Sequence, residues 1–243
     1  MESTYRRNFT LSTNDCDRFG RAKPSAILGL MQDAASAHCR ELNLTREDLA
    51  ELGLFWAISR QHVAVTTRLP RHGETVTVET WPGQTSRVAF PRSTICCDSD
   101  GNELFRAVSL WVLMDMKTRA LVLPGKSGIE LPGHTRSGEL PAPGSMAPLH
   151  LEAQSQRPVV FSELDGNGHM NNSHCADWMM DLLPSSFHRD HPVRDFTVSY
   201  LTEAREGEML DLSYQLSPEG VFHLDANKQD SGHRVFSLEA RFL

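Results

Sequence analysis

The stretch S-E-L-D-G-N-G-H-M-N-N-S-H-C-A-D-W-M-M-D (residues 162–181) decides how this chain is interpreted. Three different polar side chains stand at alternate positions in it: Asp165, Asn167 and His169. Gly166 and Gly168 separate them, and glycine permits the positive φ angles and close backbone approach that tight turns need. An amphipathic run follows directly. The pattern therefore predicts a polar turn that leads into a helix.

A weaker version of this stretch occurs in the first half of the chain. D-R-F-G-R-A-K-P-S (17–25) aligns with D-G-N-G-H-M-N-N-S (165–173), and Asp, Gly and Ser coincide at equal offsets. In both halves, the turn is predicted to precede a helix, which begins near Pro24 in the first half, where proline suits a first helical turn. The repeated order of elements predicts a duplication.

Strand-like segments with turn residues between them fill the rest of each half. In the first half they lie at 55–65, 74–81, 87–97 and 103–113, with D-S-D-G (98–101) as a hairpin signal. In the second half a strand at 157–164 is predicted before the turn, and further strands at 194–202, 208–216, 220–227 and 234–242. Each half therefore predicts one helix with an antiparallel sheet, which is an α+β arrangement.

A proline- and glycine-rich segment with almost no periodicity separates the halves. It is too long for a connection inside a compact domain. We therefore predict a linker at 124–156, between an N-terminal unit (1–123) and a C-terminal unit (157–243).

The composition bounds the function. The formal net charge is −7, which argues against a general nucleic-acid binder. No run of apolar residues approaches the length of a membrane span, and the first residues lack the apolar core of a secretory signal. The five cysteines are an odd number, which favours a reducing compartment and buried, inert thiols. These observations predict a cytoplasmic protein without a membrane span.

One helix wrapped by an antiparallel sheet, duplicated in tandem, resembles the hot-dog fold. D-G-N-G-H-M-N-N with the following Trp178 resembles the signature of the acyl-acyl-carrier-protein thioesterases. The first half adds M-Q-D-A-A-S-A-H (31–38), W-A-I-S-R (56–60), E-T-W (79–81) and L-W-V-L-M-D (110–115). The resemblance implies two tandem hot-dog units, each a long helix wrapped by an antiparallel sheet. It also implies hydrolysis of fatty acyl-acyl-carrier protein to free fatty acid, which ends chain elongation.

The resemblance further implies a catalytic set of Asp165, Asn167, His169 and Glu203, the last from S-Y-L-T-E-A-R-E-G (199–207). Plant members often carry a cysteine directly after this glutamate, where this chain has Ala204. A cysteine nucleophile at that position is therefore impossible, and attack by water with a carboxylate as base is favoured. We expect Glu203 to be the base and Asp165 to position other groups. The reverse assignment and direct attack by Asp165 both stay open.

The first half lacks this polar set. Phe19 and Arg21 stand where the second half has Asn167 and His169. We therefore predict that the N-terminal unit is not catalytic and supplies much of a hydrophobic tunnel for the acyl chain. Such a tunnel gains about 0.8 kcal/mol for each buried methylene.

The sequence predicts no cofactor and no metal site. We find no nucleotide loop or flavin signature, and His169 and His174 are spaced poorly for two metal ligands on one helical face. His174 is predicted to lie on the helix surface. Cys175 is predicted to be an inert packing residue and Met179 to lie in the core or pocket wall.

Three other functions compete with this prediction. A hot-dog hydratase or dehydratase is less favoured, because the related hydratase pattern places its histidine five residues after the aspartate and includes a proline. Hydrolysis of acyl-coenzyme A would use the same catalytic residues. A non-catalytic acyl-binding protein would lack the polar set, which is intact in the second half.

The partner and the oligomeric state are less constrained. Acyl-carrier protein is strongly acidic, so its docking site is expected to be basic. The sequence does not show whether the scattered arginines converge on such a site: Arg60, Arg68, Arg71, Arg87 and Arg92. Two fused units permit a monomer, and the habit of the family allows a homodimer.

Overall fold

The structure is a computed structural model that describes residues 3–149 and 151–242. The chain divides into two compact units. Unit 1 comprises Met1–Ala22 and Ala26–Pro143, and unit 2 comprises Lys23–Ser25 and Gly144–Leu243. The boundary at Pro143 falls inside the segment 124–156 that was predicted as a linker.

Unit 1 is built on an antiparallel sheet. Its strands are β1 (Tyr5–Thr10), β2 (Leu54–Val65), β3 (Thr75–Pro82), β4 (Phe90–Cys97), β5 (Glu103–Asp115) and β6 (Leu121–Val122). The spatial order is β1-β3-β4-β5-β2, and β6 pairs with β5. The predicted hairpin between β4 and β5 is confirmed, with the Asp98 carboxylate accepting hydrogen bonds from the backbone N–H groups of Asp100 and Asn102.

The helices of this half are α1 (Pro24–Glu41), α2 (Arg46–Glu51) and α3 (Pro124–Ser127). The predicted start of α1 at Pro24 is confirmed. Ile27, Met31, Ala34 and His38 of α1 are all at most 3% exposed. Their helical spacing places them on one face. The imidazole Nδ1 of His38 lies 3.1 Å from the guanidinium of Arg92 on β4, so this face packs on the sheet of unit 1.

Unit 2 repeats the pattern with its own set of antiparallel strands. Its strands are β7 (Ala153–Pro158), β8 (Val193–Tyr200), β9 (Met209–Leu216), β10 (Val221–Lys228) and β11 (Arg234–Phe242), and its helices are α4 (His174–Asp181) and α5 (Ser185–Asp190). The spatial order of the strands is β8-β11-β10-β9-β7. Both β10 and β11 contain runs of consecutive buried residues (224–226 and 235–238), and the Trp178 ring of α4 packs edge-on against Phe236 at a centroid distance of 6.2 Å. The four strands predicted after the motif are confirmed.

Two predictions for unit 2 are wrong. The expected strand at 157–164 is present only at its start, because β7 ends at Pro158 and the chain turns into a 3-10 helix at Phe161–Glu163. The expected long helix is short: α4 ends at Asp181. Pro184 follows three residues later, and proline disfavours helical backbone in the residue before it.

The predicted linker is not free of structure. It contains α3 and the first residues of β7. Between them, the Arg136 guanidinium forms an ion pair with Glu79 at 2.6 Å, and the Glu139 carboxylate accepts a hydrogen bond from the Trp81 indole at 2.7 Å. This part of the segment is therefore a strap bound to β3 by charged and hydrogen-bonded side chains.

Candidate active site

The motif folds into a tight turn organised by Asp165. The Asp165 carboxylate accepts hydrogen bonds from the backbone N–H of Asn167 at 2.8 Å, from the Asn167 side-chain amide at 3.1 Å and from the backbone N–H of His169 at 3.3 Å. The backbone N–H of Asp165 donates to the His169 carbonyl at 2.8 Å. Gly168 has a φ of 75°, a conformation that glycine adopts at little cost. Asp165 therefore acts as the side chain that closes the turn.

Glu203 reaches this turn from the loop after β8. The Met170 N–H donates to the Ala204 carbonyl at 2.8 Å, and His169 forms an isolated β-bridge with Arg205. This backbone pairing places the His169 Nε2 atom 3.3 Å from a Glu203 carboxylate oxygen. The side chain of Glu203 is 42% exposed, whereas that of His169 is 18% exposed. The structure thus brings all four predicted residues together, with Glu203 open to water.

The same turn occurs in unit 1 around Asp17. The Asp17 carboxylate accepts from the backbone N–H groups of Phe19 at 2.8 Å and Arg21 at 3.0 Å. The Asp17 N–H donates to the Arg21 carbonyl at 2.7 Å, and Gly20 has a φ of 74°. Asp17 builds this turn without an asparagine or histidine beside it. The comparison indicates that the aspartate at this position is first of all a structural residue.

The backbone pairing also identifies the unit 1 counterpart of Glu203. The Ala22 N–H donates to the Pro70 carbonyl at 2.7 Å, as Met170 does to Ala204 in unit 2. The residue before Pro70 is Leu69, which is 8% exposed and has no acid or base function. One unit therefore carries a carboxylate and an imidazole in contact, and the other carries a leucine and an arginine at the same positions.

Asn171 forms hydrogen bonds with Ser173, the residue just before α4. Its side-chain oxygen accepts hydrogen bonds from the backbone N–H of Ser173 at 3.0 Å and from the Ser173 hydroxyl at 2.9 Å. The helix begins one residue later, at His174. Backbone N–H groups in a first helical turn carry partial positive charge, so this end of α4 favours a polarised oxygen nearby.

His174 is predicted to lie on the helix surface, and in the structure its side chain also contacts Asp177. Its Nδ1 atom is 3.1 Å from the Asp177 carboxylate, which also accepts a hydrogen bond from the Ser25 hydroxyl. Burial raises the pKa of Asp177, but the hydrogen bonds from His174 and Ser25 and the charge of Lys23 outweigh burial and leave the pKa below its usual value. The spacing of three residues between His174 and Asp177 is a sequence signal for a side-chain pair on one helical face.

A second polar cluster, around Glu163, stabilises the turn and is not evident from the sequence pattern. Glu163 is only 5% exposed. Its carboxylate accepts hydrogen bonds from the Trp178 indole at 2.7 Å, the Arg157 guanidinium at 3.0 Å and the Val160 N–H at 3.1 Å. The Glu163 carbonyl in turn accepts from the Asn171 N–H at 2.8 Å. The cluster ties the 3-10 helix before the motif to the helix that follows it.

The cysteines match the prediction of inert packing residues. All five are free, and each is buried or half-buried. Burial raises the pKa of Cys175 to about 12, although a hydrogen bond with Tyr200 opposes that rise. A thiol with this pKa is protonated near neutral pH and is a poor nucleophile.

The predicted catalytic residues do not line the main cavity of unit 2, and the described residues form neither a metal site nor a membrane-spanning helix. A cavity of about 290 Å³ in unit 2 is lined by none of the four predicted catalytic residues; its lining includes Met146, Leu149, His223, Asp225 and Glu239. Within residues 3–149 and 151–242, no group of three or more His, Cys, Asp or Glu side chains is arranged to hold a metal ion. No helix among these residues is long and apolar enough to cross a membrane.

Comparisons with known proteins place this fold in one class. Over 99% of this chain and 98% of the other, the fold matches an acyl-acyl-carrier-protein (acyl-ACP) thioesterase from Bacteroides thetaiotaomicron with a TM-score of 0.87 and 22% identity. It also matches the 12:0-ACP thioesterase from Umbellularia californica with a TM-score of 0.83 and 22% identity, over 100% of this chain and 98% of the other. The predicted fold of two hot-dog units is confirmed, apart from the length of the second helix.

The chain belongs to the acyl-ACP thioesterase family. Residues 2–123 match the acyl-ACP thioesterase N-terminal domain and residues 147–240 match the C-terminal domain. A dodecanoyl-acyl-carrier-protein hydrolase from Cinnamomum camphora is 26% identical over 224 residues, which cover 85% of this chain and 58% of the relative. A palmitoyl-acyl carrier protein thioesterase from Gossypium hirsutum is 25% identical over 221 residues, covering 85% and 53%. The chain thus spans little more than half the length of these curated relatives.

Proposed function

We propose that this protein hydrolyses the thioester of fatty acyl-ACP and releases the free fatty acid. The observation that carries the proposal is the contact between His169 and Glu203 on the motif turn, at 3.3 Å. The same turn in unit 1 has Arg21 and Leu69 at these positions, so the fold alone does not require the polar pair. Membership in the acyl-ACP thioesterase family and the hydrolase activity of the relatives named above support the same substrate.

Glu203 is the proposed base. One of its carboxylate oxygens lies 3.3 Å from His169, and its side chain is 42% exposed, so water from the solvent can reach the carboxylate. The water oxygen forms a bond to the thioester carbonyl carbon while one of its protons moves to Glu203. His169 holds the carboxylate in place and is itself held by Asp165, which accepts from its backbone N–H at 3.3 Å.

Asn167 is the proposed group that polarises the substrate carbonyl. One N–H of its side-chain amide donates to Asp165 at 3.1 Å, which fixes the amide plane. The other N–H stays available for the carbonyl oxygen, where negative charge develops in the tetrahedral intermediate. When the intermediate collapses, the C–S bond breaks and the leaving sulfur takes the proton from Glu203. The products are a carboxylic acid and the free thiol of the carrier.

Unit 1 is proposed to hold the acyl chain. Its turn keeps Asp17 for structure but carries Phe19 and Leu69 in place of Asn167 and Glu203. Apolar residues at these positions cannot assist proton transfer, and they suit contact with a hydrocarbon chain.

We further propose a cytoplasmic location. All five cysteines are free in the structure, which suits a reducing compartment. The curated relatives named above are chloroplastic, so the location is tested by fractionation of the source cells, with an antibody against this chain.

The function is tested by thiol release from acyl-ACP and acyl-coenzyme A thioesters with chain lengths from about C4 to C18, the range that an apolar tunnel could sort by buried methylenes. We expect release from acyl-ACP by the wild type and a loss of about 10²–10⁴-fold in Glu203→Gln, the range for removal of a general base. Glu206→Gln is the matched control, because Glu206 is an exposed glutamate on the same loop. No release from any thioester by the wild type would refute the proposal, and faster release from coenzyme A would change the partner.

A further inference from the structure

Three large apolar side chains are exposed on the segments that flank the motif turn. Val160 is 42% exposed and Phe161 is 79% exposed, and both lie at the start of the 3-10 helix that leads to Asp165. Leu201 is 49% exposed and lies two residues before Glu203. Exposing an aromatic ring to this degree forgoes the free energy that its burial would supply.

Hydrogen bonds hold the two segments together. The Val159 N–H donates to the Glu208 carbonyl at 3.0 Å, and the Gly207 N–H donates to the Val159 carbonyl at 2.9 Å. The loop that carries Glu203 therefore runs beside the segment that carries Val160 and Phe161. These apolar side chains border the candidate active site.

Unit 1 provides an internal comparison for this surface. Its Leu11 makes the same backbone contacts as Val159, donating to the Glu74 carbonyl at 3.0 Å and accepting from Gly73 at 2.9 Å. The 3-10 helix that follows spans Thr13–Asp15, as its counterpart spans Phe161–Glu163.

The equivalent positions in unit 1 are polar. Ser12 and Thr13 stand in place of Val160 and Phe161, and Thr67 stands in place of Leu201 by the count that matches Leu69 with Glu203. All three unit 1 residues are exposed, so both units leave these positions open to solvent. The fold accepts polar residues there. Only the unit with the polar set replaces all three with apolar ones.

The positive charge on this surface comes from Arg205. Arg205 is exposed, and its guanidinium forms no ion pair with any of the residues 3–149 and 151–242. The backbone bridge between Arg205 and His169 places this cation beside the turn. Glu206 is exposed next to it, so the surface is not uniformly basic. An exposed aromatic ring with an unpaired arginine is the composition typical of binding hot spots between proteins.

Three of the five arginines considered from sequence alone are engaged within the protein. Arg92 is 6% exposed and buried beside His38, and Arg68 is paired with Glu74 at 2.7 Å. Arg60 donates to the Pro143 carbonyl at 3.3 Å. None of these three guanidinium groups is as free as that of Arg205 to meet an acidic partner.

We propose that Val160, Phe161, Leu201 and Arg205 form the surface on which the carrier protein docks when it delivers the thioester. The proposal rests on the proposed hydrolysis of acyl-ACP. The position beside the turn suits a partner that must insert its acyl-bearing arm there. The cation complements the acidic surface of a carrier protein, while contact with the Phe161 ring supplies most of the affinity.

The test uses one acyl chain on two thiols: acyl-carrier protein, and pantetheine as an uncharged minimal thiol without the protein. The variant Val160→Ser with Phe161→Thr copies the residues of unit 1. We expect kcat/KM for acyl-ACP to fall about tenfold through KM, equivalent to about 1.4 kcal/mol of binding. The value for acyl-pantetheine is expected to stay unchanged. Leu52→Thr is the control, because Leu52 is a 61% exposed leucine at the end of α2.

Arg205→Ala is expected to weaken the dependence of KM on salt for acyl-ACP and to leave acyl-pantetheine unaffected. An equal loss with both thioesters would overturn the proposal, because it would place these residues in the catalytic pocket. Unchanged KM in every variant would also overturn it, as would a change of oligomeric state by light scattering without a change in KM. A wild type that hydrolyses neither thioester would refute the proposed function itself.

Discussion

Replacing Asp165 with asparagine distinguishes between two roles for this residue, that of a nucleophile and that of a turn-closing residue. A nucleophile must be a carboxylate, because it forms a bond to the thioester carbonyl carbon. A turn-closing residue needs only an oxygen that accepts from the backbone N–H groups of Asn167 and His169, now at 2.8 and 3.3 Å. Asparagine closes such turns as aspartate does. We therefore expect Asp165→Asn to keep the turn and to remain catalytically active at a reduced rate.

The magnitude follows from the hydrogen bonds that are lost. The two backbone bonds remain, weakened by the loss of charge. The bond from the Asn167 amide at 3.1 Å is lost unless that amide rotates. One such bond contributes about 1 kcal/mol in net terms. Because Asn167 is then less well oriented, we expect kcat to fall about tenfold, which corresponds to about 1.4 kcal/mol of transition-state stabilisation.

The assay is steady-state thiol release from acyl-ACP, with the free energy of unfolding measured in urea. Asp17→Asn is the matched control, because Asp17 makes the same two backbone bonds at 2.8 and 3.0 Å in unit 1. Asp165→Asn is expected to lose about 1 kcal/mol of stability, and Asp17→Asn to lose more because it also breaks the ion pair of Asp17 with Arg21 at 3.0 Å, but only Asp165→Asn is expected to lose activity. Since an asparagine before Gly166 slowly deamidates to aspartate, the mass of the variant is verified first. A loss of activity beyond about 10³-fold with the turn intact would contradict the positioning role and favour direct attack by Asp165.

Three further predictions concern the support of the site. Glu163→Ala leaves the buried Trp178 indole without its acceptor and is expected to lower the free energy of unfolding by about 3–5 kcal/mol, measured in urea, whereas Glu163→Gln keeps one acceptor and is expected to cost less. Burial raises the pKa of Cys175 to about 12, so iodoacetamide at neutral pH is expected to leave this thiol unmodified until the protein unfolds, as read by mass spectrometry. The folded pKa of Asp177 is lowered, so its contribution to stability is present above the unfolded pKa of about 3.9 and is lost as the pH falls through the folded value. Asp177→Asn is expected to remove that part of the acid dependence in urea titrations, and an unaltered pH profile would contradict the assignment.

Short-range features were predictable because their physics is contained in a few neighbouring residues. The turn around Asp165 depends on one carboxylate and the N–H groups two and four residues later. The hairpin at Asp98 has the same origin. The strands β8 to β11 were predictable because strand-forming segments alternate with turn signals such as S-P-E-G (217–220) and D-S-G (230–232).

The failed predictions involve individual side-chain contacts, one of them local and one between residues far apart in the chain. The segment 157–164 is as apolar as a strand, but Pro158 cannot donate to a ladder and the Glu163 side chain satisfies the Val160 N–H instead. The segment 124–156 lacks periodicity, and its order comes from single side chains such as Arg136 bound to Glu79. Neither pairing leaves a periodic pattern.

The sequence by itself determined that the chain is a duplication, that each half carries the Asp-closed turn, and that Asn167 and His169 occur in only one of the halves. These facts are local or repetitive, and they are readable from residue types and spacing. Only the tertiary structure decided that Glu203 meets His169, that Leu69 is the counterpart of Glu203, and that Phe161 stays exposed beside the site. Each depends on backbone hydrogen bonds between segments far apart in the chain, such as Met170 to Ala204, whose donors and acceptors are the same in every residue and leave no trace in side-chain identity.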